Sequence, residues 1–202
     1  MNSASPALAQ KSAPFEFTPD NKKLAEYHVA KYPKGRQQSA VMPLLDIAQR
    51  QSGGWLPKEA MDYVANYLGM PLIRVYEVAS FYTMYNLNPV GKNLVQVCTT
   101  TPCWLRGSDE IVGACKKKLG IDMGGTTTDG KFTLVEVECL GACVNAPMVQ
   151  INDDFYEDLD SSSMGKILDD LSAGRKPVVG TQIGRQNSAP LGGAKTLTEV
   201  KK

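Results

Sequence analysis

Four of the five cysteines in this 202-residue chain fall in two pairs, Cys98-x4-Cys103 and Cys139-x3-Cys143, with 35 residues between the pairs. A loop of three or four residues lets two thiolates reach one metal. Two such loops supply four sulfur donors, which suits a [2Fe-2S] cluster with two ligands on each iron. It also suits structural zinc, whose paired ligands are two to four residues apart. Spacing alone does not separate these two. Disulfides fit poorly, because the count is odd and nothing marks an oxidising compartment. A thioredoxin-type dithiol would need C-x-x-C, which is absent. Gly107, Gly141 and Pro102 are residue types that let backbone approach a cluster and aim N–H groups at its sulfurs.

The fifth cysteine, Cys115, lies four residues from both Ile111 and Leu119, on the apolar face of a helix, and reads as an inert core thiol. His28 is the one histidine. It sits among tyrosine and lysine neighbours that form no catalytic set, and it excludes multi-histidine metal sites. No G-x-G-x-x-G nucleotide loop occurs. An enzyme with its own substrate pocket is therefore not expected.

The elements that must position the cysteines follow from pattern and punctuation. Helices are expected over 20–32, capped by Thr18 or Asp20, and over 40–51, with Leu44, Leu45, Ile47 and Ala48 facing a core. Two more follow over 58–68, ended by Gly69, and 71–82. Asn86 to Gly91 reads as a linker. After it come a short strand over 94–97, a helix over 108–119 capped by Ser108, and a turn at Asp129-Gly130. Strands over 131–137, 148–151 and around Phe155-Tyr156 lead to a last helix over 161–172, capped by serine. The expected divisions are a disordered 1–17, a helical domain 18–91, an α/β domain 92–174 of thioredoxin-like type, and an extended basic tail 175–202. If the strands before Cys98 and Cys139 are parallel neighbours, both cysteine pairs emerge at the same edge of the sheet.

No stretch approaches the 18 or so apolar residues of a membrane span. The first 17 residues lack a secretory pattern and contain no arginine, so the chain reads as intracellular and soluble. Helices 58–68 and 71–82 could imitate a helix-turn-helix. The second offers only Arg74 as a basic residue, so no nucleic-acid partner is expected.

Cys98-Thr99-Thr100-Thr101-Pro102-Cys103-Trp104-Leu105-Arg106-Gly107 and Glu138-Cys139-Leu140-Gly141-Ala142-Cys143-Val144-Asn145-Ala146-Pro147-Met148-Val149-Gln150-Ile151 resemble the two cluster loops of the 24-kDa subunit family of respiratory NADH:quinone oxidoreductase (complex I). Tyr32-Pro33-Lys34-Gly35-Arg36-Gln37-Gln38-Ser39-Ala40, Gly53-Gly54-Trp55-Leu56-Pro57 and Val75-Tyr76-Glu77-Val78-Ala79-Ser80-Phe81-Tyr82 resemble the same family. The resemblance implies an α+β chain, a helical bundle followed by a thioredoxin-like [2Fe-2S] ferredoxin domain, and it favours the cluster over zinc. It implies Cys98, Cys103, Cys139 and Cys143 as ligands of one [2Fe-2S] cluster that accepts single electrons from FMN. FMN and NADH would sit on a neighbouring flavoprotein subunit. The iron-sulfur subunit of the peripheral arm is the other implied partner. The assembly would oxidise NADH, reduce quinone and pump protons. Its peripheral arm would lie on the cytoplasmic side of a bacterial inner membrane, or the matrix side of a mitochondrial one. The alternative is the diaphorase module of an NAD-linked hydrogenase or formate dehydrogenase.

The net charge of +1 is unevenly spread. Residues 92–174 carry a net −6 and residues 175–202 a net +5. The acidic run 153–160 reads either as a solvated edge or as charge that lowers the reduction potential of a nearby cluster. The tail reads as a strap for a partner, whose removal should spare the cluster.

Overall fold

The structure, a computed structural model, describes residues 14–193 and Thr196. The chain divides into two compact units, residues 1–89 and 90–202, two residues before the expected break. Residues 1–13 and the end of the basic tail lie outside the described residues.

The first unit is helical. Thr18 caps α1 (Pro19–Ala30), its side chain accepting the Asn21 N–H. A 3₁₀ turn, Gln37–Ala40, leads into α2 (Val41–Gln51), whose Leu44, Leu45, Ile47 and Ala48 are buried as the periodicity requires. Pro57 precedes α3 (Lys58–Leu68), and Gly69 ends it at φ 62°, a left-handed conformation that costs glycine little. The fourth helix is α4 (Leu72–Phe81). Tyr85 closes the core, its hydroxyl donating to the Met42 carbonyl at 2.9 Å. The expected disorder through residue 17 is corrected here. Phe17 is buried, and Phe15 and Phe17 stack edge-on against Tyr63 with centroids 5.5 and 5.0 Å away. Gln51 fixes the same segment: its amide donates to the Glu16 carbonyl at 2.7 Å and accepts the Thr18 N–H at 3.1 Å. Two aromatic rings outweigh the surrounding Ser, Ala and Pro, because burying each is worth about 1.5–3 kcal/mol.

The second unit is a five-stranded sheet with helices. Its elements are β1 (Asn93–Cys98), α5 (Thr101–Leu105), α6 (Ser108–Leu119), β2 (Phe132–Val137), β3 (Val149–Ile151), β4 (Asp154–Glu157), α7 (Ser161–Ser172) and β5 (Gly180–Thr181). The strand order is β2-β1-β3-β4-β5. The β1–β2 pair is parallel, which requires the helical crossover through α5 and α6. The β1–β3 and β3–β4 pairs are antiparallel, and β4–β5 is parallel. Val95 and Val97 share a core with Ile111 and Cys115 of α6 and Met164, Ile167 and Leu168 of α7. Lys118 and Asp169 tie the two helices at 2.7 Å.

Two caps differ from expectation. Gly107, at φ 96°, is the N-cap of α6, and Ser108 lies one residue inside with its hydroxyl buried. Asp160 rather than serine caps α7, with Ser163 returning the hydrogen bond. The sequence pattern also gave no sign of α5 or β5. α5 is too short to show a period, and β5 is two residues of the tail laid beside β4.

One glycine is demanded by close approach. A Cβ on Gly91 would lie 2.7 Å from the Phe132 backbone carbon, whereas one on Gly165 in α7 would meet nothing within 4 Å. Gly91→Ala should therefore cost about 1–3 kcal/mol, and Gly165→Ala should gain up to about 1 kcal/mol of helix propensity. Urea unfolding of the two variants should move the midpoint in opposite directions. An unchanged midpoint for Gly91→Ala would contradict the packing described.

Candidate metal centre

The register of the parallel pair sets the geometry of the site. Cys98 closes β1 and lies opposite Val137, the last residue of β2, with Cys139 two residues further on. Both cysteine loops therefore leave the same end of adjacent strands. Along β1 the pleat sends Val95 and Val97 into the helix-covered core, so Cys98 turns to the other face. There it joins Cys103, Ala146 and Met148 in a separate small apolar cluster.

The first loop is short and closed. Thr99 donates to Glu136 on the neighbouring strand at 2.5 Å. Thr100 opens α5, and its carbonyl accepts the Trp104 N–H at 2.9 Å. One turn of helix carries Cys103 back beside Cys98. Gly107 ends this turn and starts α6; it makes no contact with a thiol among the described hydrogen bonds. The second loop is more open. Gly141, at φ 84°, aims its N–H at the Cys139 sulfur, 3.4 Å away. A 3₁₀ turn, Cys143–Asn145, brings the Cys143 sulfur to 3.4 Å from that of Cys139.

The structure delivers both cysteine pairs to the same end of the sheet. Cys98 lies 3.3 Å from the Thr100 hydroxyl, and the Cys139 and Cys143 sulfurs lie 3.4 Å apart. Cys98 and Cys103 are buried, while Cys139 and Cys143 are exposed. Cys115 stands apart in the α6 core, where burial pushes its thiol up to about 12. His28 lies on α1 against Tyr27 and Lys31.

In each pair one thiol is held below its ordinary value and the other above it. Burial pushes Cys98 up, but the hydroxyl and backbone N–H of Thr100 outweigh it and hold the thiol below its ordinary value. Burial, then the neighbouring Cys98, push Cys103 up to about 12. The Gly141 N–H, followed by Cys143, lowers Cys139, and the hydrogen bond to Cys139 raises Cys143. A bound cation would displace the remaining protons, as thiolate ligation requires.

The donor set fits a two-iron cluster. Among the described residues no group of three or more His, Cys, Asp or Glu converges on a single ion position. A [2Fe-2S] cluster would take four thiolates, which Cys98, Cys103, Cys139 and Cys143 could supply as two pairs. Val144, Trp104 and Leu105 beside these pairs are exposed apolar side chains.

Sequence reasoning missed four residues here. Thr100 carried a signal, as the residue before Thr101-Pro102 at a helix start. Asn145, Asp158 and Arg185 lay in the second cysteine loop, the acidic run and the basic tail, but nothing in the sequence linked them. The Arg185 guanidinium reaches Asp158 at 2.7 Å and donates to the Val144 carbonyl at 2.8 Å. The tail, expected as a strap for a partner, has contacts with its own unit through residue 187. Arg175 pairs with Asp170 and Lys176 with Asp154. In the acidic run, Asp154 and Asp158 meet these cations, Asp160 caps α7, and Asp153 and Asp160 are exposed.

The family model of thioredoxin-like [2Fe-2S] ferredoxins matches residues 25–172. The chain is 64% identical over 157 residues to the E subunit of the NADH-quinone oxidoreductase of Rickettsia conorii, a match that covers 78% of this chain and 94% of that protein. It is 56% identical over 186 residues to the mitochondrial NADH dehydrogenase [ubiquinone] flavoprotein 2 of Dictyostelium discoideum, covering 92% of this chain and 75% of that one. The crystal structure of an air-oxidised NAD+-reducing [NiFe]-hydrogenase superposes with a TM-score of 0.56 over 64% of this chain and 23% of that chain. At 19% identity that likeness is one of fold. The chain belongs to the thioredoxin-like [2Fe-2S] ferredoxin family, in the branch of the NADH-quinone oxidoreductase E subunits.

Proposed function

We propose that this chain is the [2Fe-2S] electron-transfer subunit of an NADH:quinone oxidoreductase, and that Cys98, Cys103, Cys139 and Cys143 are the ligands of its one cluster. The observation that carries the reading is the parallel register of β1 and β2, which delivers two thiol pairs to one end of the sheet. When bound, the cluster supplies one-electron redox chemistry. The residues of the chain supply the rest. Cys98 and Cys103 form the buried side of the site, and Cys139 and Cys143 the exposed side. The Thr100 hydroxyl and the Gly141 N–H supply hydrogen bonds to sulfur, which stabilise added negative charge.

The chain works within a larger complex as a peripheral subunit. We assign as its neighbours an NADH- and FMN-binding flavoprotein, the source of single electrons, and the iron-sulfur subunit of the peripheral arm. Val144, Trp104 and Leu105 beside the cysteine pairs are exposed apolar side chains suited to such contact. The location follows from that assembly: the cytoplasmic face of a bacterial inner membrane, or the matrix face of a mitochondrial one. No described helix is long and apolar enough to cross a membrane.

Dithionite reduction of the full chain should give an S = 1/2 electron paramagnetic resonance signal. Replacing any one of Cys98, Cys103, Cys139 and Cys143 by serine should abolish that signal or shift its g values, while Cys115→Ser should leave it unchanged. A wild-type signal surviving in one of the four variants would remove that residue from the ligand set. Thr100→Val should lower the midpoint potential. Losing a hydrogen bond of about 1 kcal/mol corresponds to roughly 40 mV for one electron. A redox titration showing no fall would deny Thr100 that part.

A further inference from the structure

We infer that Arg185 is a positioning residue for the second cysteine loop, holding the turn that carries Cys143 from a point far along the chain. This rests on Cys143 being a ligand, the reading given above. The Arg185 side chain is 10% exposed and that of its partner Asp158 is 9% exposed. The guanidinium grips Asp158 twice, Nε to Oδ2 at 2.9 Å and Nη2 to Oδ1 at 2.7 Å. Nη2 also donates to the carbonyl of Val144, the residue after Cys143, at 2.8 Å, and Nη1 reaches the Ala189 carbonyl at 3.4 Å.

Asp158 is the other half of the clamp. Its backbone N–H donates to the Asn145 carbonyl at 2.7 Å. Its carboxylate accepts from Thr181 at 2.7 Å and from the Asn145 amide at 3.4 Å. Asn145 is fully buried, and its amide also donates to the Asn187 carbonyl at 3.0 Å. Val144 and Asn145, two of the three residues of the turn, are therefore held from outside the loop, by 158 and by 185–187. A carbonyl gripped by a charged, planar donor cannot rotate without leaving a buried cation half-paired, which costs more than the bond itself contributes. The fork matters as well as the charge: a lysine ammonium is a single point and cannot span carboxylate and carbonyl in this geometry.

On this inference removal of the tail would disturb the second cysteine loop, contrary to the expectation that it spares the cluster. Truncation before Arg185 should loosen the turn. The cleaner test is Arg185→Lys in the full chain, which keeps the charge for Asp158 and so keeps the fold. Hydrogen exchange of the apo chain should show the Asn145 and Ala146 amides exchanging about tenfold faster relative to Val97 in β1. The reduced, cluster-loaded variant should show shifted g values at full iron content. Arg185→Gln should show the same local change more strongly. Exchange at 145–146 unchanged relative to Val97, or wild-type g values in both variants, would overturn the inference. If the wild-type chain assembles no cluster, the ligand reading fails, and the exchange comparison still decides the role of Arg185.

Discussion

The parallel pairing of β1 with β2 is the constraint on which the rest of the site depends. A parallel pair cannot be joined by a tight turn, so the chain must cross over through helix, and here α5 and α6 make that crossover. In return both strands end at the same end of the sheet. Cys98 lies opposite Val137, and the two thiol pairs follow immediately. A one-residue slip in this register would turn Cys98 toward the helix-covered core and take it out of the site. The buried residues Val95, Val97, Leu134 and Phe132 specify that register, so the apolar core of the second unit also fixes the spacing of the donors.

Most of the fold was legible in sequence because its elements carry punctuation. Pro57 and Gly69 bracket α3, and the apolar spacing of 40–51 named the buried face of α2 correctly. The two cysteine loops were legible because each is local. What was not legible is what depends on distance or on very short segments. Phe15 and Phe17 were averaged into a Ser, Ala and Pro composition, although two rings suffice to order that stretch. α5 has five residues and no period to read. Ser108 looked like a cap, but Gly107 takes that place because only a left-handed residue lets α5 stop and α6 start at once.

The charge pattern read from sequence is partly satisfied within the chain itself. The acidic second unit and the basic tail are complementary to each other first. Three tail cations, Arg175, Lys176 and Arg185, meet Asp170, Asp154 and Asp158 of the same unit. The exposed pairs of this set contribute little to stability. The buried Arg185–Asp158 pair differs, because it is joined to the backbone of the second cysteine loop. Of the acidic run, read from sequence either as a solvated edge or as charge that lowers a nearby potential, Asp154 and Asp158 meet cations of the tail. Thr100 and Gly141 place donors directly at two of the sulfurs.

The central claim is that four cysteines hold two irons in pairs, two thiolates to each. X-ray absorption at the iron edge of the full chain, loaded with iron and sulfide, tests this most directly. The account predicts iron surrounded by sulfur alone, with one iron neighbour at the short distance that bridging sulfides impose. Iron without an iron neighbour, iron with nitrogen or oxygen ligands, or a chain that takes up zinc and no iron would contradict it.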